Sequence, residues 1–96
     1  VCMADKDLEA WREKIDALNE QILVLVNQRA ECALAVGEIK RAAGLPLYAP
    51  DREMAVLNQI KSLNDGPLSH EAVQRIFKQI IDESLRLEED HAEQES

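Results

Sequence analysis

The stretch from Leu8 to Ile39, LEAWREKIDALNEQILVLVNQRAECALAVGEI, decides the fold. Its apolar residues recur at heptad spacing through Leu8, Trp11, Ile15, Leu18, Ile22 and Leu25, then, after Arg29, through Cys32, Val36 and Ile39. No proline interrupts the chain before Pro46, so the pattern predicts one α-helix from about Lys6 to Ala43, capped by Asp5 or Asp7. At 1.5 Å per residue that helix spans roughly 57 Å, whereas a compact domain of this size has a radius of gyration near 13 Å. Such a helix overhangs its own domain. The overhanging apolar stripe needs a second chain to cover it, and Arg29, a cation in the seam, needs an anion. An obligate helical dimer with internal anion sites is the expectation.

Working outward, Gly44 and Pro46 end the long helix and residues 45–49 form a short connection. Pro50 suits the first position of a second helix, with Asp51 and Glu53 in its acidic first turn and Val56, Leu57, Ile60 and Leu63 as its apolar stripe. Asn64, Asp65, Gly66 and Pro67 stop it. Ser69 then caps a third helix, with Leu68 and Val73 placed as a hydrophobic staple and Ile76, Phe77, Ile80 and Ile81 on its inner face. Nothing reads as a strand. The chain divides into a flexible leader (1–6), an all-α domain of one long and two shorter helices (7–90) and a polar tail (91–96). Gly37 is the weak point of the long helix, costing about 1 kcal/mol relative to Ala. It is either a tolerated glycine or a place where another backbone or a ligand comes close.

Composition narrows the function classes. With 46% hydrophobic but only 3% aromatic residues, the core is built of aliphatic side chains and alanine. The formal charge of −8 opposes binding to nucleic acid or to anionic lipid, and no apolar run is long enough to cross a membrane. Cys2 and Cys32 have unlike settings and read as free thiols of a reducing compartment, with a cytoplasmic location as the default. His70 and His91 lack ligand spacing with either cysteine, so no metal site is expected, and there is no glycine-rich phosphate loop.

In so acidic a chain, inward-facing cations carry information. Lys40 follows Arg29 by eleven residues, which at 100° per residue puts both on one helix face about three turns apart. A pair of inward cations suits a doubly anionic ligand, or else Arg29 pairs with a carboxylate across the bundle and Lys40 reaches water. On the third helix Ser84 and Glu88 continue the phase of Phe77 and Ile81, either as site residues or as a packing serine and the start of an exposed face. Glu53, beside Arg52, sits at the edge of its helix's stripe, where first-turn acids also answer the helix dipole. Arg12 lies about 100° away from Arg29 in phase and cannot easily serve the same pocket, but it can reach the pocket of an antiparallel partner helix. A serine nucleophile would want a histidine base, and neither histidine shares a face with Ser84. What remains is a site of fixed cations and hydrogen-bond donors, suited to stabilising developing charge.

Trp-Arg-Glu-Lys-Ile-Asp at 11–16, Arg29, Gly-Glu-Ile-Lys at 37–40, Asp-Arg-Glu at 51–53 and Asp-Glu-Ser at 82–84 together resemble the all-helical chorismate mutase family over about residues 7–90. The 63–67 segment and the third helix further resemble the mutase domain that precedes prephenate dehydratase in bifunctional proteins. The resemblance implies an intertwined homodimer with two sites, each taking one arginine from the opposite subunit. It implies Claisen rearrangement of chorismate, a dianion, to prephenate, in phenylalanine and tyrosine biosynthesis, without a cofactor. Carried over by position, Arg12 of the partner subunit and Arg29 would grip the carboxylates, and Arg52 would support that side. Lys40 would contact a carboxylate and the ether oxygen, Glu53 would accept from the ring hydroxyl, Ser84 would add a hydrogen bond, and Glu88 would complete the ether-oxygen contact.

Two departures from the family pattern matter. Ala49 stands where some members carry an aspartate near the ring hydroxyl, and Glu88 stands where others carry glutamine. A glutamate donates a hydrogen bond only when protonated, so the resemblance predicts a raised Glu88 pKa and weaker catalysis as it ionises. Two rivals remain. Ala49-Pro50 followed by an acidic residue and arginine also resembles the isochorismate-pyruvate lyases of the same fold, although Asp-Glu-Ser at 82–84 favours the mutase. A non-enzymatic helical dimerisation module would leave Arg29 and Lys40 merely paired with acids.

Overall fold

The computed structural model describes residues 3–95, so Val1, Cys2 and Ser96 lie outside the description. Three helices follow one another: α1 (Met3–Ala42), α2 (Pro50–Leu63) and α3 (His70–Glu95). No strand occurs among the described residues. The helix expected to begin near Lys6 begins at Met3, and α3 runs on through the polar segment after Asp90. Contacts between the helix ends accompany the second extension: Arg41 pairs with Glu95 at 3.1 Å, and His91 Nε2 lies 3.2 Å from Glu38 Oε1 and 3.0 Å from Glu95 Oε1. These contacts tie the C-terminal turns of α1 and α3 together.

The stops lie where the sequence puts them. Gly44, at φ 71°, lets α1 end in a left-handed turn in which Leu45 N–H donates to Lys40 O at 2.8 Å and Gly44 N–H to Arg41 O at 3.1 Å. Pro50 opens α2 with no side-chain cap before it. Asn64 organises the second turn, its amide donating to Leu68 O at 2.9 Å and its Oδ1 accepting from Gly66 N–H at 3.1 Å. Ser69 Oγ accepts from Ala72 N–H at 3.1 Å and so caps α3.

α3 is the centre of the arrangement, touching both α1 and α2. Glu53 faces Lys78, and four residues on Leu57 O accepts from Gln74, four residues back; α2 and α3 are therefore antiparallel. Contacts between α1 and α3 ascend together, from Arg29 with Ser84 to Arg41 with Glu95, so those helices run the same way. The chain is a rod of 62 × 30 × 14 Å with a radius of gyration of 17.8 Å. That exceeds the roughly 13 Å of a compact domain of about this length, and the excess is the overhang of α1.

The heptad seam is not the face that α1 turns to α3. Val26, Arg29, Ala30, Ala33, Leu34, Gly37 and Lys40 make the half-buried or buried stripe, whereas Cys32, Val36 and Ile39 lie exposed beside it. Small residues dominate because α3 approaches closely, and Arg29 alone belongs to both stripes. Toward the N-terminus nothing in the chain covers the helix: every residue from Ala4 to Leu25 is exposed, including Trp11 at 63% and Ile22 at 57%. No hydrophobic side chain is fully buried among the described residues.

Candidate functional site

A cleft of about 300 Å³ opens where the C-terminal half of α1, the 47–49 connection, the first turn of α2 and the second half of α3 converge. Arg29, Lys40, Arg52, Glu53, Ser84 and Glu88 all line it, so the structure brings together every site residue expected from sequence except Arg12. Arg12 is exposed on the overhang, seventeen residues and roughly 25 Å of helix from Arg29. Apolar walls come from Val36, Leu47, Ile81 and Leu85, with Tyr48 at the rim.

The cations are not neutralised by carboxylates. Arg29 Nη1 donates to Ser84 Oγ at 3.3 Å, and that hydroxyl donates in turn to Ile80 O at 2.9 Å. Ser84 is the buried polar residue among those described; its hydroxyl bonds its own helix and lines the cleft. Lys40 Nζ donates to Leu47 O at 3.0 Å, fixing the connection that carries Tyr48 and Ala49. Among the described residues neither Arg29 nor Lys40 forms an ion pair with a carboxylate.

Glu88 is the unusual group. Its Oε2 is buried and has no hydrogen-bond partner. Burial pushes its carboxyl pKa up, Glu89 adds to the rise, and Lys40 and Arg29 pull it back, with burial the largest influence. A protonated Glu88 would present an O–H to whatever fills the cleft, which removes the cost of an unpartnered buried charge. Gly37 has its explanation here too. A Cβ at that position would lie 3.2 Å from Glu88 Cγ and 3.5 Å from its Cβ, so within the chain it is the side chain of Glu88 that comes close to the glycine.

Glu53 is anchored differently. Its carboxylate forms an ion pair with Lys78, whose ammonium also contacts Asp82 Oδ1 at 2.9 Å. Both acids hold the Lys78 ammonium above the usual lysine range. Sequence reasoning passed over Lys78, Leu47 and Tyr48. The Lys78/Asp82 pair at i,i+4 was visible, but only the α2–α3 register reveals that Glu53 completes it. His91, Glu38 and Glu95 gather at the helix ends outside the cleft, where Arg41 already supplies a cation to Glu95. Cys32 is an exposed free thiol at the edge of the cleft. No helix among the described residues is long and apolar enough to cross a membrane.

This cleft thus combines the cations Arg29 and Lys40, the acid Glu88 and the carboxylate of Glu53 anchored by Lys78. Comparison with known proteins identifies the family. The family model for chorismate mutase type II matches residues 11–89. The chain is 43% identical over 84 residues to the bifunctional chorismate mutase/prephenate dehydratase of Neisseria gonorrhoeae, covering 88% of this chain and 23% of that protein. It is 42% identical over 93 residues to the Pseudomonas aeruginosa protein of the same description, covering 91% and 26%. The chain thus spans about a quarter of the length of the curated relatives it matches. Among solved structures, a chorismate mutase of Thermus thermophilus superposes with a TM-score of 0.85 at 35% identity, covering 86% of this chain and 94% of that one. The Helicobacter pylori chorismate mutase in complex with prephenate gives 0.85 at 27% identity, covering 92% and 96%.

Proposed function

The chain belongs to the chorismate mutase type II family, and from that premise we propose that its cleft converts chorismate to prephenate by Claisen rearrangement within a cytoplasmic homodimer. The observation that carries the reading is the pair of cations, Arg29 and Lys40, which face one cleft without carboxylate partners beside the orphaned oxygen of Glu88. The relatives' names favour the mutase over the isochorismate-pyruvate lyase.

Within one bound molecule the ether C–O bond breaks as a C–C bond forms, and negative charge builds on the ether oxygen. Groups that meet that oxygen more strongly in the transition state than in the ground state lower the barrier. Lys40 and a protonated Glu88 fill that role. Arg29 and Arg52 hold carboxylates and Glu53 accepts from the ring hydroxyl, so the enolpyruvyl arm is kept over the ring. No nucleophile and no proton transfer is needed. A millionfold acceleration requires about 8 kcal/mol, which a few such contacts in a water-poor cleft supply together.

The homodimer answers two features at once. Intertwining covers the exposed apolar stripe of α1, and it carries Arg12 of the partner subunit toward the open side of the cleft, adding a third grip on the substrate's carboxylates. The relatives' second activity, prephenate dehydratase, would act on the product if the chain is fused to such a domain. The direct test follows the loss of chorismate absorbance on adding protein. Arg29→Ala is expected to lower kcat/KM by a factor on the order of 10²–10³. Purified dimer that leaves chorismate unchanged would refute the mutase and favour a dimerisation module.

A further inference from the structure

Glu53 differs from the other polar residues of the cleft in being held from behind. Its side chain is 13% exposed, and a polar group so enclosed needs a partner. Arg52, its sequence neighbour, forms no ion pair with it among the described residues. The countercharge comes from Lys78 of α3, which engages Glu53 through Oε1 and does not line the cleft. Asp82, one turn further along α3, takes the same ammonium at 2.9 Å and fixes where it sits. The bridge crosses from α3 to the first turn of α2, which sets the α2 end of the cleft.

We propose that Lys78 is a positioning residue for the reaction: steadied by Asp82, it fixes Glu53 by one oxygen, leaving the other to accept from the substrate's hydroxyl. Held by one oxygen, the carboxylate keeps the other in place as an acceptor, whereas a swinging Glu53 would offer a misplaced oxygen. The inference rests on the reading of Glu53 as the ring-hydroxyl acceptor. Lys78 touches no substrate atom and acts only through Glu53.

A double-mutant cycle on the full chain tests this. Lys78→Met is expected to lower kcat/KM for chorismate about tenfold, chiefly through KM, and Lys78→Arg to recover most of the loss. In a Glu53→Gln background, Lys78→Met should have almost no further effect. Equal losses from Lys78→Met in both backgrounds would mean that the lysine merely supports the fold, and would overturn the proposal. A readout without substrate separates this from the mutase reading. The Lys78 ammonium protons, followed by ¹⁵N NMR, should exchange with water faster in Glu53→Gln, and unchanged exchange refutes the bridge. Wild-type protein inert toward chorismate but with Lys78 protected by Glu53 would sink the mutase reading and, with it, the substrate side of the proposal, leaving the bridge standing.

Discussion

The two halves of α1 are made of similar residues and have opposite fates. From Ala4 to Leu25 every side chain is exposed although Leu8, Trp11, Ile15, Leu18 and Ile22 form an apolar stripe. From Val26 to Arg41 a stripe of small residues and cations packs against α3 and walls the cleft. The large apolar side chains thus form a stripe that no described part of this chain covers, whereas the cations Arg29 and Lys40 lie where the chain closes upon itself. In the proposed function the N-terminal half is a surface for association and the C-terminal half is the site. Within a homodimer the separation disappears, because the overhang that supplies burial is also the part that carries Arg12.

Breaking the N-terminal half should have the largest effect. Ile15→Lys combined with Ile22→Lys puts two charges into the stripe that the proposed dimer buries. Truncating one buried isoleucine costs about 2–5 kcal/mol, and a whole domain has only about 5–15 kcal/mol of stability. The double variant is therefore expected to lose cooperative thermal unfolding and to sediment as a monomer. A stable, helical dimer from this variant would show that the stripe serves another purpose.

Next in size is the division of labour between the halves. Arg12→Ala and Arg29→Ala should each be nearly inactive, by roughly two to three orders of magnitude for loss of one charged grip. If each site draws Arg12 from the partner subunit, refolding the two variants together makes heterodimers with one intact and one doubly altered site. Random pairing then restores about a quarter of wild-type activity. A mixture no more active than its parents would put Arg12 outside the site.

How much of this was legible follows from the same contrast. The overhang, the stops at Gly44 and Asn64 and the cap at Ser69 are local or one-dimensional features, and periodicity and capping chemistry read them directly. The stripe facing α3 lies one position from the heptad seam, which Cys32, Val36 and Ile39 mark by hydrophobicity. Close approach of α3 instead selects Ala30, Ala33 and Gly37. Lys78 stayed hidden because its meaning depends on register between helices. Counting equally outward from Asp65 and Gly66 does bring Glu53 opposite Lys78, so the turn contained the information once the hairpin is assumed. The persistence of α3 to Glu95 is accompanied by contacts with Glu38 and Arg41, separated from it by more than fifty residues, which no local pattern encodes.

A smaller effect tests the chemistry of the C-terminal half. Burial holds the Glu88 carboxyl above its ordinary range, so the protonated, donating form persists at higher pH than it would for an exposed glutamate. Activity should be full below that raised pKa and fall as pH rises through it, approaching tenfold per pH unit above it. Glu88→Gln donates at every pH, and its kcat/KM profile should be flat across that window. An unchanged acid-side preference in the variant would assign the titration to another group.

The smallest expected change comes from Gly37→Ala, one methyl group on the face of α1 beside Glu88 of α3. Alanine is favoured over glycine in a helix interior by about 1 kcal/mol, so the helix itself gains. Against that, the new Cβ would sit 3.2 Å from Glu88 Cγ, and the side chain has to yield by a few tenths of an ångström close to its root, where it is least able to swing away. The two contributions nearly cancel in stability, and the melting temperature should move by no more than a few degrees. They do not cancel in the cleft, because Glu88 is displaced from its place between Lys40 and Arg29. Catalysis by positioned groups is sensitive to sub-ångström shifts, so kcat should fall by roughly three- to tenfold while binding of prephenate changes less. A variant that is more stable and fully active would show that Glu88 has slack on this side, and that the glycine is tolerated rather than required.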